Sequence, residues 1–469
     1  VLAAFAVHGI VMVLTYRRLR PEDPVAAGID RSMLPSVTVQ LPLYNEMHVA
    51  SRLLDAVCAL DYPNDCLHVQ LLDDSTDETT GILAGRAEHW RAEGLNVEHV
   101  RRQSRDGFKA GALHDGLASA QSEFIAIFDA DFVPDADFLL RTIPHMVADA
   151  NVGMVQARWE HINGDYSMLT RVQAMALDAH FTMEQQVRNH AKLFINFNGT
   201  AGVWRRSCIV DAGSWQSDTL TEDLDISYRA QLKGWRFIYL NDVTVPAELP
   251  AEINALKLQQ FRWTKGAIEN ARKLLPSVWR SDQPLRVKLQ ATSHLTSNLV
   301  YPFMLLVAAL SVPMVVIKSS SPMYSTWFDL LGAFVIASLA TMLFYLFAQR
   351  DIHADWRRRM MIYPLFIAGM TGLAVNNTRA VFEALVRHRS DFIRTPKYNI
   401  VARSDGWGIS RYRQLGVQPA AILELMIALY FVGGIALAIH HGELAVIPFQ
   451  LIFLLGFGTT GWLSLRHAR

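Results

Sequence analysis

The stretch "FIAIFDADFVPD", Phe124 to Asp135, sets Asp129, Asp131 and Asp135 at the end of an apolar, β-prone run. Along an extended strand Asp129 and Asp131 would face opposite ways. At a strand end, where the chain turns, both can reach one ligand. Two carboxylates suit a hard divalent cation such as Mg2+, which takes one or two of them and completes its shell with phosphate oxygens. The plain alternative is a solvated turn with Asp135 capping the next helix. "LLDDSTDET" brings Asp73, Asp74 and Asp77. Asp77 or Ser75 can cap the helix that follows; Asp73 or Asp74 can hold the base or ribose of a sugar nucleotide.

Two later stretches add different chemistry. "LTEDLDISYRAQLKGW" holds Glu222, Asp223 and Asp225. Acids are favourable at a helix start, and Thr221 with Leu224 makes an imperfect capping box. Alternatively Asp223 is a general base, the carboxylate that takes the acceptor hydroxyl's proton in an inverting sugar transfer. In "LQQFRWTKGA", Gln259 and Arg262 are three apart and share a helix face. An Arg can neutralise a diphosphate and a Trp face, here Trp263, can stack on a sugar ring. An amphipathic helix beside a membrane would carry the same residues. "FNGTAGVWRR" is an apolar approach to a Gly-rich turn.

These residues need elements to hold them. "SVTVQLPLYNE", "HVQLLDDSTDET" and "FIAIFDADF" each read as a strand running into polar residues, and "EMHVASRLLDAVCAL" and "KAGALHDGLASA" as amphipathic helices between them. Such alternation over residues 35–280 predicts a mixed, mostly parallel sheet with flanking helices. In open α/β sheets ligands bind at the carboxyl ends of the strands, where the acid clusters lie.

The 469-residue chain is 51% hydrophobic and 19% charged, and its 44 Lys+Arg balance 44 Asp+Glu. Zero net charge disfavours a general nucleic-acid binder. Three scattered cysteines, Cys58, Cys66 and Cys208, make neither a disulfide framework nor a zinc site. No P-loop or Gly-x-Gly-x-x-Gly opens a helix, which disfavours ATPase and dinucleotide chemistry.

The hydrophobic excess concentrates at both ends. Residues 1–20 read as the tail of a transmembrane helix, truncated because the chain opens on Val1, with Arg17, Arg18 and Arg20 on the cytoplasmic side. Residues 299–317, 327–348, 420–439 and 444–465 are long enough to span. They form hairpins within 290–350 and 418–469, and Arg466 and Arg469 flank the last span. Between the hairpins, residues 355–415 read as an interfacial helix over 361–386 and a following loop. The expectation is an integral protein of the plasma or inner membrane with about five spans and a cytoplasmic 35–280 domain.

The order "LYNE", "DDSTDET", "FKAGAL", "DAD", "FNGTAG", "TED", "QQFRW" and "FIRTPK" resembles the processive family 2 glycosyltransferases of the cellulose synthase superfamily. Cellulose-synthase-like and glucomannan-mannosyltransferase-like members are the nearest in look, through "HFTMEQQV", "FNGTAGVWR" and "FIRTPK". The resemblance implies an α/β GT-A catalytic domain plus an α-helical transmembrane region. It also implies a nucleotide-sugar donor, UDP-glucose or GDP-mannose, with Mg2+ or Mn2+. Matched motif by motif, Tyr44, Glu46, Asp73, Asp74 and Lys109 hold the nucleotide sugar. Asp129 and Asp131 hold metal and diphosphate. Asp223, with Glu222, is catalytic. Asn198, Gly199, Gln259 and Trp263 hold the acceptor, and Arg262 the diphosphate. Thr395 and Lys397 belong to a gating loop, in which Arg394 replaces the family's usual Val.

The expected product is a β-1,4-linked glucan or mannan, exported between the spans, with room for export or accessory subunits; Asn298 and Glu424 either line that path or simply lie near the interface. A non-processive transferase acting on a ceramide or diacylglycerol acceptor is the alternative; a transporter without catalysis is a third reading.

Overall fold

The computed structural model describes residues 2–19, 22–25, 28–320, 333–408, 412, 416 and 418–468. Seven strands form one sheet: β1 (Val37–Leu43), β2 (Leu67–Asp73), β3 (Asn96–Arg101), β4 (Phe124–Ile127), β5 (Val152–His161), β6 (Gly202–Arg205) and β7 (Arg236–Ala247). Their order is β3-β2-β1-β4-β6-β5-β7. All pairs are parallel except those of β6, which runs antiparallel to β4 and β5. The expected mixed, mostly parallel sheet is therefore present.

The strand sequences explain the burial. β1, "VTVQLPL", and β4, "FIAI", are apolar on both faces because helices cover both sides. Leu53 and Val57 of helix Ala50–Cys58 lie in the core on one face; Leu113 and Leu117 of helix Phe108–Ser119 lie in the core on the other. Among the polar exceptions, Gln40 Nε2 of β1 donates to Gln70 Oε1 of β2 at 3.0 Å, and Thr38 Oγ1 donates to Ser122 Oγ at 2.8 Å.

Register brings the acid clusters to one edge. Leu43 pairs with Asp73, so Tyr44 and Asp74 leave the sheet side by side. Gln40 pairs with Ile127, so Asp129 and Asp131 emerge next to them. Ile127 pairs antiparallel with Gly202, which returns the turn at residues 198–201 to the same edge.

Helices Leu285–Ser320, Pro419–His440 and Leu444–His467 are long and apolar enough to cross a membrane. Part of the expected span at 327–348 (residues 327–332), Arg20 and Arg469 lie outside the described residues. The 361–386 stretch differs from the single helix expected. It forms two, Tyr363–Gly372 and Ala374–Leu385. Gly372 lies so close to the last helix that a Cβ there would sit 2.0 Å from Thr460 Oγ1. Beyond the break, Asn376 Nδ2 donates to the Lys257 carbonyl of the long helix Ile253–Arg280 at 2.9 Å. Close glycine packing and buried amides dock the two halves on different neighbours.

Asn298 and Glu424 are structural ties. Asn298 accepts a bond from Thr264 at 3.2 Å. Glu424 accepts one from Lys257 Nζ at 2.7 Å, with Lys257 also donating to Ser464 Oγ.

Candidate active site

At the carboxyl ends of β1, β2 and β4 a cavity gathers Tyr44, Glu46, Asp74, Lys109, Asp129, Asp131, Asn198, Gly199, Glu222, Asp223, Gln259, Arg262, Trp263, Thr395 and Lys397. Of the residues that the resemblance assigns to the site, all but Asp73 are among them.

Asp73 points the other way. Consecutive strand residues face opposite sides, and the inward Asp73, 1% exposed, accepts bonds from the Ser75 amide at 2.8 Å and lies 3.0 Å from His99 Nε2. It shapes the turn; Asp74 faces the cavity, where Arg102 Nε donates to it at 3.0 Å. Asp77 accepts from the Thr79 amide at 2.9 Å, one residue ahead of the N-cap position, Glu78, of the next helix. Asp135 is exposed and makes no cap: only its carbonyl takes the Phe138 amide, and the residue before helix Phe138–Ala148 is Asp137.

One end of the cavity is cationic and aromatic. The Arg105 guanidinium lies 3.4 Å from the Tyr44 ring centroid. In the centre, Lys109 Nζ donates to Asp129 and, at 2.9 Å, to the Gly199 carbonyl, with Glu222 3.9 Å away. Burial alone would lower the Lys109 pKa, but the charges of Asp129 and Glu222 outweigh it and hold the ammonium charged. Asp129 is fixed through its amide, which donates to Thr200 Oγ1 at 2.9 Å. Glu46, buried on the same wall, has its carboxyl pushed up to about 8 by burial, against the pull of Arg394.

Across the cavity, Glu222 and Asp223 open helix Glu222–Leu232. The capping box does not form: Thr221 Oγ1 accepts from Asn270 Nδ2 at 2.9 Å instead. Asp225 turns away to pair with Arg229 at 2.6 Å. Burial, reinforced by the Glu222 charge, pushes the Asp223 carboxyl up to about 7. Gly199 has φ +82°, and a Cβ there would stand 3.1 Å from Asp223 Oδ2 and 3.3 Å from Lys109 Nζ. Glycine is needed on both counts. Non-glycine residues Asn45, Phe108 and Ala201, with φ 55°, 52° and 55°, adopt the same rare region around the cavity.

Asn198 lies on the cavity wall, but its amide group is committed behind it, to Gln185 Nε2 and to His180 Nε2 at 3.0 Å. Those two partners flank a single π-helical turn, residues 180–185. Gln259, Arg262 and Trp263 enter from the long helix, and burial lowers the pKa of Arg262. Trp263 approaches Trp159 of β5 with ring centroids 6.3 Å apart.

The segment 391–397 closes the cavity from the far end of the sequence. Phe392 stacks on Phe108 at 5.8 Å and carries Arg262 4.5 Å above its ring. Arg394 forms an ion pair with Glu46 at 3.1 Å, so the residue that departs from the family's Val has a partner. Lys397 Nζ donates to Asp131 Oδ2 and to the Glu248 carbonyl, each at 2.6 Å. Arg105, Phe392 and Trp159 were missed by sequence reasoning. Arg105 had a usable signal, a cation just ahead of the Gly107-Phe108-Lys109 helix start.

Among the described residues no three His, Cys, Asp or Glu side chains gather around one point. Asp129 and Asp131 still fit Mg2+ or Mn2+, because such ions need only one or two carboxylates when phosphate oxygens supply the rest.

Residues 35–266 match the model of the family described as glycosyltransferase like family 2. The chain is 32% identical to glucomannan 4-beta-mannosyltransferase 9 of Arabidopsis thaliana, over 95% of this chain and 85% of that protein. It is 45% identical to glucomannan 4-beta-mannosyltransferase 1 of Oryza sativa subsp. japonica, over 56% of this chain and 50% of that protein. The match thus spans about half the length of this rice relative. Among solved structures, a mannosyltransferase from Pyrobaculum calidifontis in complex with GDP-Man and Mn2+ superposes with TM-score 0.56 at 21% identity, over 83% of this chain and 98% of that one. At that identity the likeness supports the fold.

Proposed function

The chain belongs to the family 2 glycosyltransferases, in their cellulose-synthase-like branch, and from that premise we propose that it is a membrane-embedded, inverting β-hexosyltransferase. It builds a β-1,4-linked mannan-type glycan from a nucleotide-sugar donor. The names of its relatives favour GDP-mannose over UDP-glucose. The observation that carries the reading is that one cavity gathers Asp129, Asp131, Asp223 and Arg262.

The nucleotide lies at the Tyr44, Asp74 and Arg105 end, and its diphosphate at the Asp129, Asp131 and Arg262 centre. The acceptor sugar stacks on Trp263. Its terminal hydroxyl oxygen forms a bond to the anomeric carbon as the bond from that carbon to the diphosphate oxygen breaks. The diphosphate leaves with the electron pair, and the proton goes to Asp223. Attack from the opposite face inverts the configuration, so an α-linked donor gives a β-linkage. A carboxyl pushed up to about 7 is matched to that transfer near neutrality. Arg262 and Lys109 balance the charge that develops on the leaving group. Mg2+ or Mn2+, held by Asp129 and Asp131, would supply further neutralisation of the diphosphate. Segment 391–397 acts as the gate, with Lys397 exchanging Asp131 for phosphate oxygens and Thr395 lining the closed cavity.

The spans anchor the enzyme, the 35–280 domain faces the cytoplasm, and residues 355–415 lie at that interface. The test is a donor panel on the full chain in membranes with Mg2+ or Mn2+, following nucleotide release and digesting the product with linkage-specific hydrolases. The expected result is metal-dependent release from GDP-mannose and a product cut by a β-1,4-mannanase. Absence of release from both GDP-mannose and UDP-glucose would overturn the reading.

A further inference from the structure

Behind Trp263 lies a second cavity of about 300 Å³, between helices Met168–Ala179, Ile253–Arg280, Tyr363–Gly372 and Ile447–His467. Its walls include Val172, Leu256, Leu373 and Leu463. Gln259 and Trp263 line both this cavity and the catalytic one. Its mouth is apolar as well: Met168, Leu365 and Leu455 are 45%, 45% and 47% exposed. Leu455 belongs to Leu444–His467, a helix apolar enough to cross a membrane, so the mouth opens beside a candidate membrane helix.

A glycan does not suit these walls. Sugar hydroxyls removed from water need hydrogen-bond partners, and the polar side chains here are few: Gln173, Gln259, Gln260, Thr459 and Thr460, with Trp263. Thr459 spends its hydroxyl on the Leu455 carbonyl at 2.6 Å. Gln173 spends its amide nitrogen on the Leu169 and Pro250 carbonyls. Its Oε1 is a buried acceptor without a partner among the described residues, in a side chain 7% exposed. A mostly apolar pocket with few polar side chains, opening beside a candidate membrane helix and sharing Gln259 and Trp263 with the other cavity, matches an amphiphile. The volume is ample, since an apolar cavity of ~150 Å³ already takes benzene.

We propose that this cavity holds the alkyl chain of a membrane lipid whose sugar or hydroxyl headgroup reaches past Trp263 and serves as the acceptor that primes the glycan. This rests on the transferase reading given above. The headgroup hydroxyl makes the bond to the anomeric carbon, the diphosphate departs, and Asp223 receives the proton, as for any acceptor.

The experiment uses the full chain in lipid nanodiscs with GDP-mannose and two acceptors, methyl β-mannoside and dodecyl β-mannoside. A dodecyl β-mannoside bearing a chain diazirine is the photoprobe. Because each buried methylene adds to binding, the dodecyl compound should show a kcat/KM higher by about tenfold or more, expressed in KM. The probe should label helix Tyr363–Gly372 or Ile447–His467 and be displaced by plain dodecyl β-mannoside. Gly369→Leu places a side chain in the cavity, where a Cβ meets only Val172, at 3.2 Å. It should remove both the labelling and the chain advantage while turnover of methyl β-mannoside persists. Thr459→Trp, at the exposed mouth, gives the same comparison should Gly369→Leu not fold. Equal use of the two acceptors, or a chain advantage that survives in a folded cavity-filled variant, overturns the proposal. Labelling without transfer to either acceptor overturns the transferase reading and the acceptor role, and leaves an alkyl-chain site. Transfer to methyl β-mannoside without labelling overturns the alkyl-chain site alone.

Discussion

Asp223 and Glu424 are both acids drawn out of water, one in the catalytic cavity and one among the membrane helices. Glu424 is 0% exposed and meets Lys257, 1% exposed on its side chain, at 2.7 Å, with Ser464 Oγ taking a second bond from the same ammonium. Asp223 faces open volume, and its carboxyl oxygen takes only the adjacent Leu224 amide, at 2.8 Å. The difference teaches how to sort buried charge. A carboxylate whose partner is packed against it ties elements together; one that is poorly paired beside room for a ligand is poised to exchange a proton.

The sharpest way to break the comparison is Asp223→Asn. If Asp223 is the base, turnover falls on the order of 10²–10⁴-fold, measured as nucleotide release. Stability should hold. A carboxyl raised in the folded state contributes stability below the ordinary carboxylate range and loses it as pH rises through about 7. The Asn variant escapes that loss, so its melting temperature at pH 8 should not drop.

Lys257→Met should do the reverse in kind. Leaving Glu424 unpaired costs about 3–5 kcal/mol of stability, read by chemical or thermal unfolding. Lys257→Met with Glu424→Met should recover most of it. A large loss of turnover per folded molecule in that double variant would erase the distinction between the two acids.

pH sharpens the comparison further. As the proposed base, Asp223 would have to be ionised to accept a proton, so turnover should climb as pH rises through about 7, well above the ordinary carboxylate range. Below the midpoint it should fall about tenfold per unit. The residual activity of Asp223→Asn should lack that limb in a kcat–pH profile.

The smallest effect is expected at the proposed gate, segment 391–397. Arg394→Val removes the partner of Glu46 and restores the family's usual residue. The donor KM should change by roughly threefold to tenfold, since a hydrogen bond or ion pair of this kind is worth about 0.5–1.5 kcal/mol, with kcat little affected. A loss as large as that of Asp223→Asn would make the gate part of the chemistry.

Much of this was legible before any coordinates. Apolar runs such as "FIAI" and "VTVQLPL" ending in acids or polar turns announce strands, and the order of the motifs announces the family. Strand alternation says that Asp73 and Asp74 face opposite sides. It does not say which side is open, and the answer depended on His99 and Ser75 reaching Asp73. Likewise "MIYPLFIAGM" and "LAVNNTRAVF" look like one helix by composition. Only the packing of Gly372 against Thr460 and of Asn376 on Lys257 divides them.

The sequence by itself determined which residue types stand at the strand ends, because hydrophobic period and local turn chemistry act over a few residues. Tertiary structure alone decided how Lys397 meets Asp131, how Arg394 meets Glu46, and that Trp263 stands between a charged cavity and an apolar one. Those contacts join segments far apart in the chain. Their geometry follows from how the sheet, the long helix and the membrane helices pack, and no local pattern encodes it.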